Sequence, residues 1–463
     1  MRSPLRSSLR HGRERGAALI VSFLLLAMIA ITFLLAFARA SESEAQRDRR
    51  TSEALATAKQ ALIGFAGGVA FTPPTFAERP GDLPCPDLDN DGSAELSCPT
   101  AAERLGRLPW KTLGLPDLRD GDGERLWYAV SINFKNNPRT PCPNHSDAGC
   151  LNSNTLGTIS VRDSSGALVH DATNTDPVTH NGIVAVVIAP GGVLARQDSP
   201  GSPQARDAGG INNATNYLEV QPAGGEDNAN FADSTTNGFI SGPVVGANGA
   251  AIINDRILTI GLQDILPVME RRVAQEAAFC LKAYAAANGQ KYPWAADMIS
   301  SATNNPPLGN YSDASARLYG RIPDPPFTKT QTDDATMGLA WVGACQIAVG
   351  TWWTNWKSQV LYSIATDFRP GASAACGGCL AVNRTTGGAA TGVRMIVMVA
   401  GRALSGQNRS APIGMVNANP ANYVECQNST APLTPDPTFD AVCTIGGPPL
   451  PPLNDRLAYF PMP

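Results

Sequence analysis

The residues best suited to chemistry in this 463-residue chain form one acidic segment, 87–95, which reads DLDNDGSAE. Calcium loops place carboxylates at their first, third and fifth positions, and a glycine at the sixth permits a sharp turn. Gly92 stands at that sixth position. Hard oxygen ligands at alternate positions can then converge on one Ca²⁺ ion. The spacing therefore predicts a candidate calcium site, and no other cofactor. Its candidate ligands are Asp87, Asp89, Asp91 and Glu95.

An ordinary solvated turn is the alternative interpretation of this segment, because Asp-Asn-Asp-Gly is also common turn chemistry. The twelfth position, where an EF-hand loop carries a bidentate Glu, is Cys98. The segment is therefore at most a variant loop, closed by a disulfide instead of a helix. The second half of the chain has no similar acidic segment, so any metal site belongs to the first half.

The chain contains ten cysteines. An even number is typical of disulfides in an exported protein, although sequence alone leaves their connectivity open. The spacing Cys376-Gly-Gly-Cys379 also permits a redox motif, but no basic residue lies nearby to lower a thiol pKa. A zinc site at Cys142, His145 and Cys150 lacks a fourth ligand at the usual spacing. Pairing neighbours in sequence predicts the disulfides Cys85–Cys98, Cys142–Cys150, Cys280–Cys345, Cys376–Cys379 and Cys426–Cys443.

Catalytic patterns are missing from the sequence, so we predict that the protein is not an enzyme. It contains no H-E-x-x-H, no G-x-S-x-G and no P-loop. An enzyme tethered by a signal anchor is a further alternative, because the spacing of a glycosidase-like carboxylate pair is set in three dimensions and leaves no sequence pattern. The net charge of −4 disfavours a nucleic-acid partner. A tryptophan cluster remains as a candidate surface. Helical spacing favours a core position for it, with a sugar-binding platform as the alternative. Its members are Trp341, Trp352, Trp353 and Trp356.

The N-terminus predicts how the chain is held. Residues 1–16 carry five arginines against one glutamate, and Ala17–Ala38 then runs without a charge. A helix of that length spans about 33 Å, roughly one hydrocarbon core. The positive-inside rule keeps the basic leader in the cytoplasm and predicts an exported remainder. We expect a single-pass inner-membrane protein with a periplasmic head. A cleaved signal peptide and a plain uncleaved anchor are the alternatives.

The junction RERGAALIV, residues 13–21, resembles the class III signal of type IV prepilins and type II secretion pseudopilins. The resemblance implies that a prepilin peptidase cuts after Gly16 and methylates Ala17. Major subunits of that family have Phe at the first mature position and Glu at the fifth, where this chain has Ala17 and Val21. The family's Glu pairs with the N-terminus of the adjacent subunit. Its absence implies a minor subunit at the tip or in the initiating complex.

The exported part contains an internal repeat with a period of about 200 residues. Residues 54–66 and 269–287 both have apolar residues at helical spacing. Residues 126–130 and 184–189 resemble residues 360–364 and 395–400, in the same order. Further matches pair the GRLPW at 106–110 with the GQKYPW at 289–294, and the Leu194/Gln197 pair with Leu404/Gln407. The last two pair the NYLE at 216–219 with the NYVE at 422–425, and Asn254-Asp-Arg-Ile257 with Asn454-Asp-Arg-Leu457.

This repeat leads to a predicted α+β fold. The prediction is a long N-terminal membrane-spanning helix packed on an antiparallel sheet, with a second, duplicated helix-plus-sheet pilin-like domain. The predicted divisions are a leader 1–16, a helix 17–66 with its transmembrane part 17–38, a first module 67–267 and a second module 268–463.

Together these features predict a minor pilin-like or pseudopilin-like subunit of a type IV pilus or type II secretion filament. Its partners would be other such subunits through the N-terminal helix, the prepilin peptidase and the inner membrane. After assembly the head could become extracellular. A membrane-anchored adhesin or binding protein that never enters a filament is the alternative.

Overall fold

The computed structural model describes residues 14–68, 79–135, 151–196, 202–206, 211–219, 227–232, 238–298, 311–345, 347, 352–384, 388–409, 419–430, 437–441 and 455–461. Within α1, the side chains of residues 14–21, 25, 29–30 and 32–42 lie outside the description. The α-helices of the described ranges are α1 (Glu14–Gly68), α2 (Leu262–Ala287), α3 (Thr328–Asp333), α4 (Trp352–Trp356) and α5 (Cys426–Thr430).

The strands of the first half are β1 (Leu105–Arg107), β2 (Trp127–Val130), β3 (Val161–Arg162), β4 (Leu168–His170), β5 (Ala185–Ala189), β6 (Phe239–Ile240), β7 (Val244–Val245), β8 (Ala251–Ile253) and β9 (Arg256–Ile260). Those of the second half are β10 (Tyr319–Arg321), β11 (Val360–Ile364), β12 (Leu380–Asn383), β13 (Ala390–Val399), β14 (Thr438–Asp440) and β15 (Arg456–Pro461).

Two principal sheets organise the strands. The first has four antiparallel strands in the order β1-β2-β5-β9. The second has six strands in the order β10-β11-β13-β12-β14, with β15 also paired to β13. Strands β4-β3-β6 form a small third sheet and β7-β8 form a hairpin. The pairs β3–β6 and β12–β14 are parallel, which requires long connections between their members.

The two halves of the chain repeat one strand order. Strands β1, β2, β5 and β9 of the first sheet correspond to β10, β11, β13 and β15 of the second. The parallel pair β3–β6 likewise corresponds to β12–β14. Tyr128 on β2 and Tyr362 on β11 both donate a hydroxyl bond to a backbone carbonyl, that of Pro84 and Pro293 respectively. The correspondence therefore extends to individual side chains.

The main core lies where helices meet sheets and where the halves meet each other. Apolar residues of α1 recur at helical spacing, and Leu55, Ala58 and Leu62 are buried against β5, β9 and α2. Helix α2 packs on β13 and β15, and its stripe from Met269 to Tyr284 is buried. One continuous cluster of buried side chains contains residues from both halves of the chain. The two halves therefore share a single hydrophobic core.

The predicted fold class is wrong. The structure is a mixed α/β fold with several sheets, two of which contain parallel pairs, and its halves share one core. No helix within the described ranges is both long enough and apolar enough to cross a membrane. The predicted division between residues 267 and 268 also falls inside α2. Local periodicity locates helices and strands, but it carries no information on which distant strands pair.

Candidate functional site

The acidic loop is built around the buried carboxylate of Asp87. One of its oxygens accepts the backbone N–H of Asn90 at 2.6 Å, and the other accepts that of Gly92 at 2.7 Å. The backbone of Asp87 pairs with that of Arg107 in an isolated antiparallel bridge, which fixes the loop to β1. The chain turns through positive φ at Asn90 (67°) and Gly92 (91°). The loop is therefore folded by its own amides around one carboxylate.

Gly92 is required at the turn for two reasons. Its φ of 91° lies in a region that side chains rarely adopt. A Cβ at this position would also stand 2.6 Å from the indole ring of Trp110, closer than any ordinary contact. The fold of the loop therefore requires a glycine at position 92 whether or not the loop binds a metal.

Three of the four predicted ligands come together. One carboxylate oxygen each from Asp87, Asp89 and Glu95 lie within 4.8 Å of one another. Asp91 is not in this group, and its carboxylate accepts the backbone N–H of Ser93 at 2.6 Å. Burial raises the pKa of Asp87, partly offset by its amide bonds, whereas the bonds from Ser93 lower that of Asp91. Asp87 is thus buried, whereas Asp91 is exposed.

Cationic side chains support the loop from outside. Arg125 donates to the side-chain oxygen of Asn90 at 2.7 Å, and the Lys111 ammonium donates to the backbone carbonyl of Asp91. Neither bond uses a carboxylate of the converging group. Backbone amides of the loop use part of the acceptor capacity of these three carboxylates, and the lone pairs that remain are of the kind that a hard cation prefers.

Three of the five predicted disulfides have both cysteines within the described ranges, and the structure contains all three. Cys85–Cys98 closes the acidic loop, and Cys280–Cys345 joins α2 to the segment before α4. Cys376–Cys379 closes a short loop whose Gly378 amide donates to the carboxylate of Asp367 at 2.6 Å. A carboxylate beside this pair disfavours a thiolate, which argues against a redox role. Cys426 is disulfide-bonded, while Cys142, Cys150 and Cys443 lie outside the described residues.

The predicted processing site lies at the start of α1. Gly16 and Ala17 belong to the backbone of that helix, but their side-chain surroundings, and residues 1–13, lie outside the description. Farther along α1, described apolar side chains are exposed. They include Phe23 (73% exposed), Leu24, Leu26, Met28 and Ile31. The two ends of α1 thus differ, since residues 54–66 are largely packed into the head.

A buried polar network in the first half escaped the sequence analysis. The guanidinium of Arg206 donates to the backbone oxygens of Asn216 and Gly191 and to the side-chain oxygen of Gln204. Gln204 donates in turn to Glu219 at 2.7 Å. The backbone N–H of Glu219 donates to the carboxylate of Asp255 at 2.9 Å. These bonds fix the long connection between β5 and β9.

The second half contains the same network on equivalent residues. Arg409 donates to the backbone oxygens of Asn422 and Gly401 and to the side chain of Gln407, which donates to Glu425 at 2.8 Å. The backbone N–H of Glu425 donates to Asp455 at 3.0 Å. The sequence had matched Gln407 with Gln197, but the structural equivalent is Gln204. The spacing from the preceding strand differs between the halves, so position alone could not reveal the match.

The tryptophan cluster is part of the core. Trp352 and Trp356 are 1% and 0% exposed, and Trp341 and Trp353 are also buried. These side chains pack with α2 and the second sheet in the main hydrophobic cluster. They therefore offer no platform for a sugar, and the interpretation as core is the correct one.

Comparison of the chain with protein-family models, with curated proteins and with solved structures finds no match. A functional assignment therefore depends on the residues themselves. Within the described part of the chain, the features available for function are the acidic loop, the exposed apolar part of α1 and the surface of the head.

Proposed function

We propose that this protein is a minor pilin-like or pseudopilin-like subunit, placed at the tip or in the initiating complex of a type IV pilus or type II secretion filament. The observation that carries the proposal is the contrast along α1. One end of the helix is part of the head's core, and the other presents apolar side chains to its surroundings. Such a helix suits assembly by side-by-side packing with equivalent helices.

The exposed part of α1 supports this packing. Phe23, Leu24 and Leu26 are more than half exposed, and exposed contiguous apolar surface commonly marks an interaction site. The partners proposed for it are the helices of other pilin-like subunits. At its other end, Leu62 and Ala66 are fully buried, so this end of the helix is held in the head.

The disulfides support an exported head. Bridges such as Cys85–Cys98 and Cys280–Cys345 persist in oxidising compartments and are rare in the cytoplasm. A periplasmic position before assembly, and an extracellular one afterwards, is therefore part of the proposal. The head comprises most of the 463 residues. A tip position accommodates it because no further subunit has to stack above it.

Processing at the N-terminus is the first test. In cells with prepilin peptidase, we expect the mature protein to begin at Ala17 and to be heavier by one methyl group than the unmodified product. In cells without the peptidase, Met1 or the full leader should remain. Gly16→Val should block the cut, because a branched side chain replaces the glycine of the recognition site. Intact mass and N-terminal sequencing measure both results.

Gly64→Val is the matched control for that substitution. Gly64 also lies in α1, and no atom lies within 4 Å of a Cβ built there. This variant should be processed normally. Cleavage at another position, or peptidase-independent cleavage at Gly16, would exclude the pilin pathway. It would leave the alternative, an adhesin or binding protein that never enters a filament. Copurification with other pilin-like subunits separates the same two proposals.

Calcium binding by the acidic loop is a second proposal, and the convergence of Asp87, Asp89 and Glu95 favours it. We expect Asp89→Asn to weaken Ca²⁺ binding at least tenfold, because an exposed ligand loses its charge. Asp91→Asn should change it less than threefold, since Asp91 lies outside the group. Isothermal titration with CaCl₂ measures both affinities. No binding by the unmodified protein would show that the loop is only a turn, and equal losses in the two variants would show that the converging group of Asp87, Asp89 and Glu95 does not define the site.

A further inference from the structure

A cavity of about 520 Å³ opens beside the acidic loop, between β1, β2 and segment 227–232. Buried side chains form its floor, namely Leu105, Arg107 and Trp127. Exposed residues stand at its mouth, including Asn212 and Ala232. Its volume falls in the range typical of small-molecule sites, about 300–1,000 Å³. A ligand would thus enter from solvent and contact the buried side chains of the floor.

The floor carries a positive charge on which Glu124 acts electrostatically without forming an ion pair. Arg107 is 4% exposed and donates from its two Nη atoms to the backbone oxygens of Arg125 and Ile211, each at 3.1 Å. Among the described residues, no carboxylate forms an ion pair with it. Burial lowers its pKa to about 10, so the guanidinium is still charged at neutral pH. A buried charge of this kind is costly unless an opposite charge approaches it.

The polar atoms left over on the floor are hydrogen-bond donors. Nε of Arg107 and Nε1 of Trp127 are buried and have no hydrogen-bond partner. Asp87 also lines the cavity, but both of its carboxylate oxygens already accept backbone amides. The buried polar atoms without a partner are therefore N–H donors beside a positive charge, whereas Asn212 and Asn230, whose side chains carry amide oxygens, line the cavity as exposed residues. An occupant that supplies oxygen acceptors and negative charge would complement the buried donors.

The remaining walls are apolar and aromatic. The Arg107 guanidinium lies over the rings of Trp127 (4.3 Å) and Tyr217 (3.9 Å), which holds it in one orientation. Leu88, Leu105 and Phe231 line the space beside it. These surfaces would bury a hydrocarbon or aromatic body, and the removal of its apolar area from water would favour binding.

We propose that this cavity binds a small organic carboxylate, with the carboxylate next to Arg107 and an apolar or aromatic body against Phe231 and Leu105. One molecule should bind per chain. The equivalent arginine of the second half, Arg321, lies over Tyr423 and is 0% exposed, whereas Arg107 lines the cavity. This site goes beyond the proposed filament role and does not depend on it.

Two isosteric probes test the charge requirement, 3-phenylpropionate and its neutral amide, titrated calorimetrically into the full chain. We expect 1:1 binding of the carboxylate, and at least tenfold weaker binding of the amide. Binding of the carboxylate should weaken as salt increases, because the contact to Arg107 is ionic. Equal affinity for the two probes, or no binding of either, would overturn the proposal.

Two substitutions test the location. Arg107→Gln removes the charge and should abolish the preference for the carboxylate. Because that residue also helps to hold the fold, Ala232→Trp provides an independent test by filling the mouth and leaving the floor intact. It should weaken binding at least tenfold. Ala250→Trp, at an exposed position in the β7–β8 turn, is the matched control and should bind normally. Unchanged binding by Ala232→Trp would place the ligand elsewhere and refute the site.

Discussion

Replacing Arg409 by Met is expected to lower the free energy of unfolding by about 3–5 kcal/mol, the cost typical of removing one partner from a buried charged network. Arg409 is 5% exposed, and its guanidinium bonds to the backbone oxygens of Gly401, Asn422 and Tyr423. Met fills similar space but donates nothing, so Gln407 and these three carbonyls, of which those of Gly401 and Tyr423 accept buried bonds, lose their donor. Chemical denaturation monitored by circular dichroism measures the difference.

The duplicated network supplies a second variant with the same expectation. Arg206→Met should cause a loss of similar size, because Arg206 makes the equivalent bonds in the first half. Arg49→Met is the control, since Arg49 lies on the exposed face of α1 and pairs only with Glu53 among the described residues. Its effect should stay below about 1 kcal/mol. A loss for Arg409→Met no larger than the control's would show that the network contributes little to stability.

Raising the pH from 5 to 8 is expected to destabilise the protein. Burial raises the pKa of Glu219 to about 7 and that of Glu270 to about 8, from an ordinary value of 4.5. The folded state therefore holds protons that the unfolded state has released. The stability contributed by each group is complete below pH 4.5 and is lost as the pH rises through the folded pKa. The slope is at most about 1.4 kcal/mol per pH unit for each group.

Glu270→Gln isolates one of these groups. Glu270 is 2% exposed, with Arg456 at 3.8 Å as its ion-pair partner among the described residues, and Arg409 and Glu425 also act on it electrostatically. The amide keeps the shape and cannot ionise, so the variant should be more stable than the unmodified protein at pH 8 and should show a shallower pH dependence. Thermal unfolding at pH 5, 6.5 and 8 measures this. Exposed Glu53→Gln is the control and should retain the original slope. Parallel profiles for Glu270→Gln and the unmodified protein would contradict the expectation.

Local features of the sequence determined several parts of this structure. The stripe along α2, from Met269 to Tyr284, repeats at the helical period and is buried. Segment 87–95 folds into a loop because its glycine and its carboxylates act on neighbouring amides. The pairs Cys85–Cys98 and Cys376–Cys379 are close in the chain, so proximity sufficed to match them. In each case the interacting groups lie within a few residues or a few helical turns of one another.

The repeat was visible in the sequence, but its register was not. Tyr128 faces Val187 across β2–β5, and Tyr362 faces Val397 across β11–β13. Val187 thus corresponds to Val397. Aligning the apolar runs 184–189 and 395–400 from their first residues pairs Val187 with Met398 instead. Continuous apolar strands look alike after a shift of one residue, although such a shift moves every side chain to the other face. The sequence also matched Gly106 with Gly289, but β1 corresponds to β10, which makes Gly320 the equivalent.

Only the tertiary structure decided the remaining features. The parallel pairs β3–β6 and β12–β14, the core shared by both halves and the place of Arg107 beneath a cavity all join residues far apart in the chain. An arginine is usually exposed, so the sequence gives no sign that Arg107 is buried. It is buried because the rings of Trp127 and Tyr217, from distant segments of the chain, pack against its guanidinium. Composition and spacing determined which local elements form. Which elements meet depends on how their apolar faces are buried together, and that is a property of the whole chain.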